Sequence, residues 1–326
     1  MPIKITSSDK TTKPVEEKAT LQSTNNMESK KSSDKATNQA EQEDIRVLFE
    51  ENRMEDYHPI PQATPQPNED NLDGVVYIVD ETVPIVVLYG PTSCGKSMTL
   101  VRMTNYLRSL NYKVEPDRSF RPSNDQGYKK DCDNFDSFVA NPMAAPPTTG
   151  YMLVDIIKDG DIICKILEAP GEYYFDPIHP NRVYQHYLNT IIMSKNKKIW
   201  CVFVEPTKVK QQLYVNRITD TGENGFISSM RTQDSIMVLF NKIDKTGFTK
   251  GPGSWDEEKA IKEVNIFYPG LFNAFKEDRP IIKWFKPYTC YFEPFSTGKF
   301  GTSDQPYAPS SEEWPERFWK ALSKLI

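Results

Sequence analysis

Cysteine pairs, histidine, basic surplus and long apolar runs are all scarce in this chain, and each shortage closes a class of function. The five cysteines, Cys94, Cys132, Cys164, Cys201 and Cys290, are odd in number, widely scattered and form no CxxC. Neither a disulfide framework nor a zinc site is expected, and a reducing compartment is the default. Three histidines in 326 residues, none spaced as a metal pair, point the same way. No run approaches the roughly 18 apolar residues that a membrane span takes. The opening MPIKITSSDKTTK has charge but no apolar stretch, unlike a secretory signal, and Pro2 stands where N-myristoylation requires glycine. The expectation is a cytoplasmic protein with no direct membrane anchor. Residues 1–70 hold nine Lys/Arg and fourteen Asp/Glu, which leaves 31 of each sign in residues 71–326. Without a basic surplus, no nucleic-acid partner is expected.

Residues 1–40 contain no aromatic and are rich in Ser, Thr, Lys, Glu, Asn and Gln. Such a segment buries too little apolar area to offset its ordering entropy, so it reads as a disordered tail. DIRVLFEENRM (44–54) has the spacing of one short helix. Pro59, Pro61, Pro65 and Pro67 then mark an extended linker, so residues 1–70 are set apart from 71–326. From Val75 the pattern changes. VVYIV (75–79), IVVLY (85–89), KIWCVFV (198–204) and SIMVLF (235–240) are short β-branched or apolar runs suited to strands buried on both faces. YMLVDII and DIICKILE flank Asp159-Gly160, a strong hairpin signal. Helical patterns fall at 97–110, 182–194, 206–218, 256–276 and in the C-terminal EEWPERFWKALSKLI, with DNFDSFV a further candidate. Strands alternating with amphipathic helices predict an α/β fold in three layers, a mainly parallel sheet with helices on both faces.

Four motifs sit at or near strand ends. GPTSCGKS (90–97) matches G-x-x-x-x-G-K-[ST] between a buried strand and a helix, the context a P-loop requires. Gly90 and Gly95 let the N–H groups of Thr92, Ser93, Cys94 and their neighbours wrap a phosphate; Lys96 reaches terminal phosphates and the Ser97 hydroxyl ligates Mg²⁺. NKID (241–244) follows the second central strand. Asp244 suits the N1–H and exocyclic amine of guanine, an edge adenine lacks, while Asn241 braces the loop and the Lys242 stem covers the ring. FSTGK (295–299), carrying Ser296 and Thr297, reads on its residues alone as a polar turn. ILEAPGEYYF (166–175) ends an apolar run in Glu168, Pro170 and Gly171.

With these motifs in this order, residues 85–325 resemble the Ras-like, TRAFAC-class P-loop small GTPases. The nearest patterns are those of the ADP-ribosylation-factor-like and the bacterial gliding-motility and polarity GTPases. The resemblance implies a three-layer P-loop NTPase fold with one antiparallel edge strand, in a domain spanning 71–326 with insertions near 113–147 and 249–288. PTTGYMLVDI (147–156) then looks like switch I, with Thr148, or Thr149 in its stead, on Mg²⁺ and the γ-phosphate. LEAPGEYYF looks like switch II, with the Gly171 N–H on the γ-phosphate. FSTGK looks like the family's guanine loop, with Ser296 and the Thr297 N–H beside the base, a role that a plain polar turn rivals. Glu168 replaces an aspartate near Mg²⁺, and Glu172 stands where many members have a glutamine that orients water. A carboxylate about 5 Å from the γ-phosphate would be repelled by roughly 3 kcal/mol at an effective dielectric near 20. Thr92 and Ser93 occupy positions often held by glycine, so slow hydrolysis is expected, with a GAP, an exchange protein and an effector as implied partners. Arg118 and Arg121 are cis-acting arginine candidates. WFKPYTCYF (284–292) is expected to supply the last sheet strand. Three readings stay open: a GTP/GDP switch, a GTPase-like module that holds nucleotide with little hydrolysis, and an ATP-using P-loop enzyme, which NKID disfavours.

Overall fold

The computed structural model describes residues 75–141, 150–222, 226–276, 289–299 and 307–326. The expected tail, short helix and linker of 1–70, the switch I candidates Thr148 and Thr149, and residues 277–288 of the expected second insertion lie outside these. Strand β1 (Ile85–Tyr89) leads through the P-loop into helix α1 (Lys96–Ser109), followed by β2 (Lys113–Pro116) and α2 (Gln126–Ala140). The hairpin β3 (Met152–Lys158) and β4 (Asp161–Glu168) follows, then α3 (Gly171–Tyr174), α4 (His186–Met193), β5 (Lys198–Val204) and α5 (Gln212–Thr219). The chain continues through β6 (Ser235–Phe240), the small pair β7 (Thr249–Gly251) and β8 (Ser254–Trp255), α6 (Glu257–Phe267), β9 (Tyr291–Pro294) and α7 (Glu313–Leu322).

Seven strands form one sheet in the order β2-β3-β4-β1-β5-β6-β9. The pairs β4–β1, β1–β5, β5–β6 and β6–β9 are parallel, while β3 runs antiparallel to both its neighbours. The reversed strand is thus second from the edge, because β2, from the segment read as an insertion, pairs outside it. Asp159 and Gly160 turn the β3–β4 hairpin with φ of 54° and 99°, the left-handed pair that a two-residue turn requires.

Alternation along the strands divides the core into two faces. Ile85, Val87 and Tyr89 pack with residues of α4, α5 and α6, and Val86 and Leu88 with residues of α1 and α7. Helix α2 touches both clusters, through Tyr128 and Cys132 on one side and Phe135 and Val139 on the other. Its start is fixed by Asp125, whose side chain accepts from the Tyr128 N–H at 2.9 Å, satisfying one of the free donors of a helix N-terminus. VVYIV departs from expectation. It is no strand: Val75, Tyr77 and Val79 are exposed, Val76 and Ile78 pack on the core, and the Tyr77 N–H bonds the Phe120 carbonyl at 2.8 Å. Of the WFKPYTCYF run, Tyr291 and Phe292 do enter the sheet, as the start of β9.

From β1 the chain crosses to the β2 edge and returns inward through β3 and β4, then moves outward on the other side through β5, β6 and β9. Such a reversal opens a crevice at the carboxyl ends of the central strands, where doubly wound sheets bind ligands. Gly90 follows β1, Glu168 ends β4, Glu205 follows β5, Asn241 follows β6 and Phe295 follows β9, so every sequence motif with described residues converges on that rim.

Candidate functional site

Left-handed backbone shapes the P-loop, with Ser93 at φ 65° and Gly95 at φ 96°. Left-handed residues of this kind turn successive N–H groups into an anion-binding concavity. Gly90 has no room for a side chain, since a Cβ there would lie 2.7 Å from Cys94 Sγ and 2.9 Å from Phe203 Cβ. Lys96 opens α1 and is buried; its ammonium donates to the Gly90 carbonyl at 3.0 Å and the Pro91 carbonyl at 2.9 Å. Burial raises the Cys94 pKa, so its thiol stays protonated.

The NKID loop is bolted to the P-loop. Asn241, fully buried, donates from Nδ2 to the Cys94 carbonyl at 2.8 Å, and Lys242 Nζ donates to the Ser93 carbonyl at 3.0 Å. Lys242 itself is left-handed, with φ 56°, and its ammonium pairs with Glu205. Asn241 Oδ1 is buried with no partner among the described residues. An orphaned amide oxygen of this kind costs about 1–3 kcal/mol, which a ligand's donor would offset.

Ser296 and Thr297 arrive beside this loop because the Phe295 N–H bonds the Phe240 carbonyl at 2.8 Å and the Ile243 N–H bonds the Phe295 carbonyl at 3.1 Å. Ser296 Oγ donates to Asp244 Oδ1 at 2.6 Å, which fixes the plane of an otherwise exposed carboxylate. Behind Ser296 stands a relay that the sequence did not show. Arg102 of α1, 2% exposed, donates to the Ser310 carbonyl at 2.8 Å and pairs with Glu312 at 2.9 Å. Ser310 Oγ then donates to the Ser296 carbonyl at 2.5 Å, and Tyr307 Oη to the Thr297 carbonyl. Gly298 permits the turn, with φ 102° and a Cβ position only 2.3 Å from the Ala308 carbonyl oxygen. Glu205 was also missed, although its place directly after a buried strand matches that of the recognised motifs.

At the other side of the P-loop, Ser97 Oγ donates to Glu168 Oε1, the carboxylate being 4% exposed. The short serine hydroxyl and the long glutamate arm therefore meet directly. Two hard oxygens of this type suit Mg²⁺, which is commonly held by one or two protein groups together with phosphate and water. Among the described residues no group of three or more His, Cys, Asp or Glu could hold an ion alone. Gly171 packs on the P-loop backbone, and Glu172 accepts from Thr92 Oγ1 at 3.1 Å. The following residues are anchored from below. Tyr174 packs on Tyr89 in a tilted arrangement with ring centroids 4.9 Å apart, and Tyr173 stacks on Tyr151 at 5.5 Å. The arginine candidates are engaged elsewhere: Arg118 pairs with Asp133 at 2.7 Å, and Arg121, buried, with Asp125 at 2.8 Å.

No family model matches this chain, and no curated protein matches it. Solved structures do. A chain described as nucleolar GTP-binding protein 1 of Plasmodium falciparum is 13% identical with a TM-score of 0.33, over 77% of this chain and 89% of that one. The Roco2 RocCORdC of Methanosarcina barkeri, bound to GDP, is 11% identical with a TM-score of 0.32, over 77% of this chain and 50% of that one. The Ski7 GTPase-like domain of S. cerevisiae, bound to GTP, is 14% identical with a TM-score of 0.37, over 75% and 50%. The chain spans about half the length of the last two. Among the described residues no helix is long and apolar enough to cross a membrane.

Proposed function

We propose that this chain is a guanine-nucleotide-binding protein of the P-loop GTPase type, which holds GTP or GDP with Mg²⁺ and hydrolyses GTP slowly. The observation that carries the proposal is the double tie from NKID to the P-loop, Asn241 Nδ2 to Cys94 O and Lys242 Nζ to Ser93 O. It sets a base-reading carboxylate, Asp244, and a phosphate cradle on one continuous rim. In this reading the P-loop N–H groups and Lys96 bind phosphates, and Ser97 and Glu168 hold the cation, which neutralises phosphate charge when bound. Asp244, oriented by Ser296, accepts from N1–H and the exocyclic amine of guanine. Thr297 adds its N–H, and the stem of Lys242 covers the ring. Gly171 and, beyond the described residues, Thr148 sense the γ-phosphate. The output is a changed switch surface for an effector, with a GAP or exchange factor setting the rate.

Contact between Glu172 and Thr92 favours a second reading, a module that holds nucleotide with little turnover, because neither group is then free to orient water. One experiment addresses both. A fluorescent guanine nucleotide is titrated with Mg²⁺ into the full chain and competed with GTP, GDP and ATP while phosphate release is followed. Displacement by GTP and GDP alone is expected, with binding lost in Lys96→Ala. Slow release supports the switch, no release the module, and displacement by ATP would sink the guanine assignment.

A further inference from the structure

Switch II does not stand clear of the P-loop. A Cβ on Gly171 would fall 2.2 Å from Thr92 N and 2.4 Å from the Pro91 carbonyl carbon, so its Cα lies on the Pro91–Thr92 peptide. Only glycine allows this approach. The same peptide is gathered from the other side, where Lys96 Nζ holds the Gly90 and Pro91 carbonyls. Glu172 then reaches across to accept from Thr92 Oγ1 at 3.1 Å. A carboxylate and the first turn of α3 are thereby laid over Thr92 and the Pro91–Thr92 peptide of the P-loop.

We propose that Thr92 and Glu172 form a latch that selects the diphosphate. The inference rests on the guanine-nucleotide reading above. A nucleoside diphosphate leaves the Thr92–Glu172 bond in place. A triphosphate adds an anion where the carboxylate already sits, and like charges at such distance repel. It must therefore displace Glu172 and lift Gly171 off the peptide before the glycine N–H can serve it. Two features set how firmly the latch is held. The rings of Tyr173 and Tyr174 seat the segment on Tyr151 and Tyr89. Tyr174 Oη, however, is buried without a partner among the described residues, so the closed arrangement leaves one polar group unsatisfied. Glu172 is a specificity-determining residue here, acting from its contact with the P-loop.

The test measures affinities of the full chain for fluorescent GDP and a non-hydrolysable GTP analogue at saturating Mg²⁺. Wild type is expected to favour GDP by about tenfold or more, an exposed carboxylate being partly screened. Glu172→Gln, which keeps size and removes charge, should raise triphosphate affinity by about tenfold and leave GDP little changed. Thr92→Val should shift the ratio the same way and Thr92→Ser should restore it. The double variant Thr92→Val with Glu172→Gln should move no further than the larger single change, since the two groups act as one unit. Equal affinities in wild type, a ratio that Glu172→Gln leaves unmoved, or fully additive single effects would overturn the latch while the nucleotide reading stands. Failure of the wild-type chain to bind either nucleotide would remove that reading, and the latch with it.

Discussion

Gly95 meets two separate demands, and they show how much one residue carries at this rim. Its φ of 96° lies in the left-handed region, and a Cβ there would stand 2.3 Å from Asn241 Nδ2. Alanine in left-handed backbone costs roughly 1–2 kcal/mol, and the clash adds to it by pushing Asn241 away from the Cys94 carbonyl. Gly95→Ala is therefore expected to lower urea stability by at least about that much and to weaken guanine-nucleotide binding by about tenfold or more. Unchanged binding would show that the tie between the two loops does not seat the ligand. The left-handed half of this demand was legible, because G-x-x-x-x-G-K-[ST] places a glycine there. That Asn241 braces a loop was also expected, but not that its partner is the Cys94 carbonyl, 147 residues away, since no local pattern joins them.

At the scale of elements, the loop that orients Asp244 depends on a helix it does not follow in sequence. Arg102 on α1 grips Ser310, Ser310 grips the Ser296 carbonyl, and the Ser296 hydroxyl grips Asp244. A neutral hydrogen bond contributes about 0.5–1.5 kcal/mol net, so Ser310→Ala is expected to reduce the preference for GDP over inosine diphosphate by roughly two- to tenfold. Inosine lacks the exocyclic amine, so a loss shared equally by both ligands would point to general loosening instead. Relays of this kind explain what the sequence withheld. Strands buried on both faces, the P-loop helix and the Asp159-Gly160 hairpin were readable because their signals are local. Within 113–147 the strand went unread because β2 is only four residues long, Lys113–Pro116, and α2 is mostly polar outside Tyr128, Cys132, Phe135 and Val139. VVYIV misled for the opposite reason: its β-branched residues fit a strand, yet the sheet already has β2 and β9 at its edges and the segment packs one side only.

The stability of the molecule as a whole carries a signature at its opposite end, far from any motif in sequence. Lys198 opens β5 fully buried, with its ammonium donating to the Ser194 and Asn196 carbonyls. Burial pulls its pKa down from 10.5 to about 8, against a smaller upward pull from Asp234. Between those two pH values the unfolded chain binds the proton and the folded chain does not, so this group makes stability rise with pH. The other groups that titrate there act in reverse. Burial raises the thiol pKa of Cys94, Cys164 and Cys201, so unfolded thiols ionise first and stability falls above pH 9. Lys165 is different again: burial lowers its pKa, but contact with Asp117 and Asp155 outweighs this and raises it above 10.5. Its contribution is intact until above the window. The wild-type profile therefore mixes opposing slopes, and a difference isolates Lys198. Lys198→Met should gain most over wild type near pH 7, and that advantage should shrink by about 3 kcal/mol as pH rises to 10.5, at about 1.4 kcal/mol per unit of pKa shift. Urea unfolding of both proteins across pH 7–10.5 reads it directly; a difference that stays flat with pH would mean that the buried ammonium is as well solvated by its two carbonyls as by water.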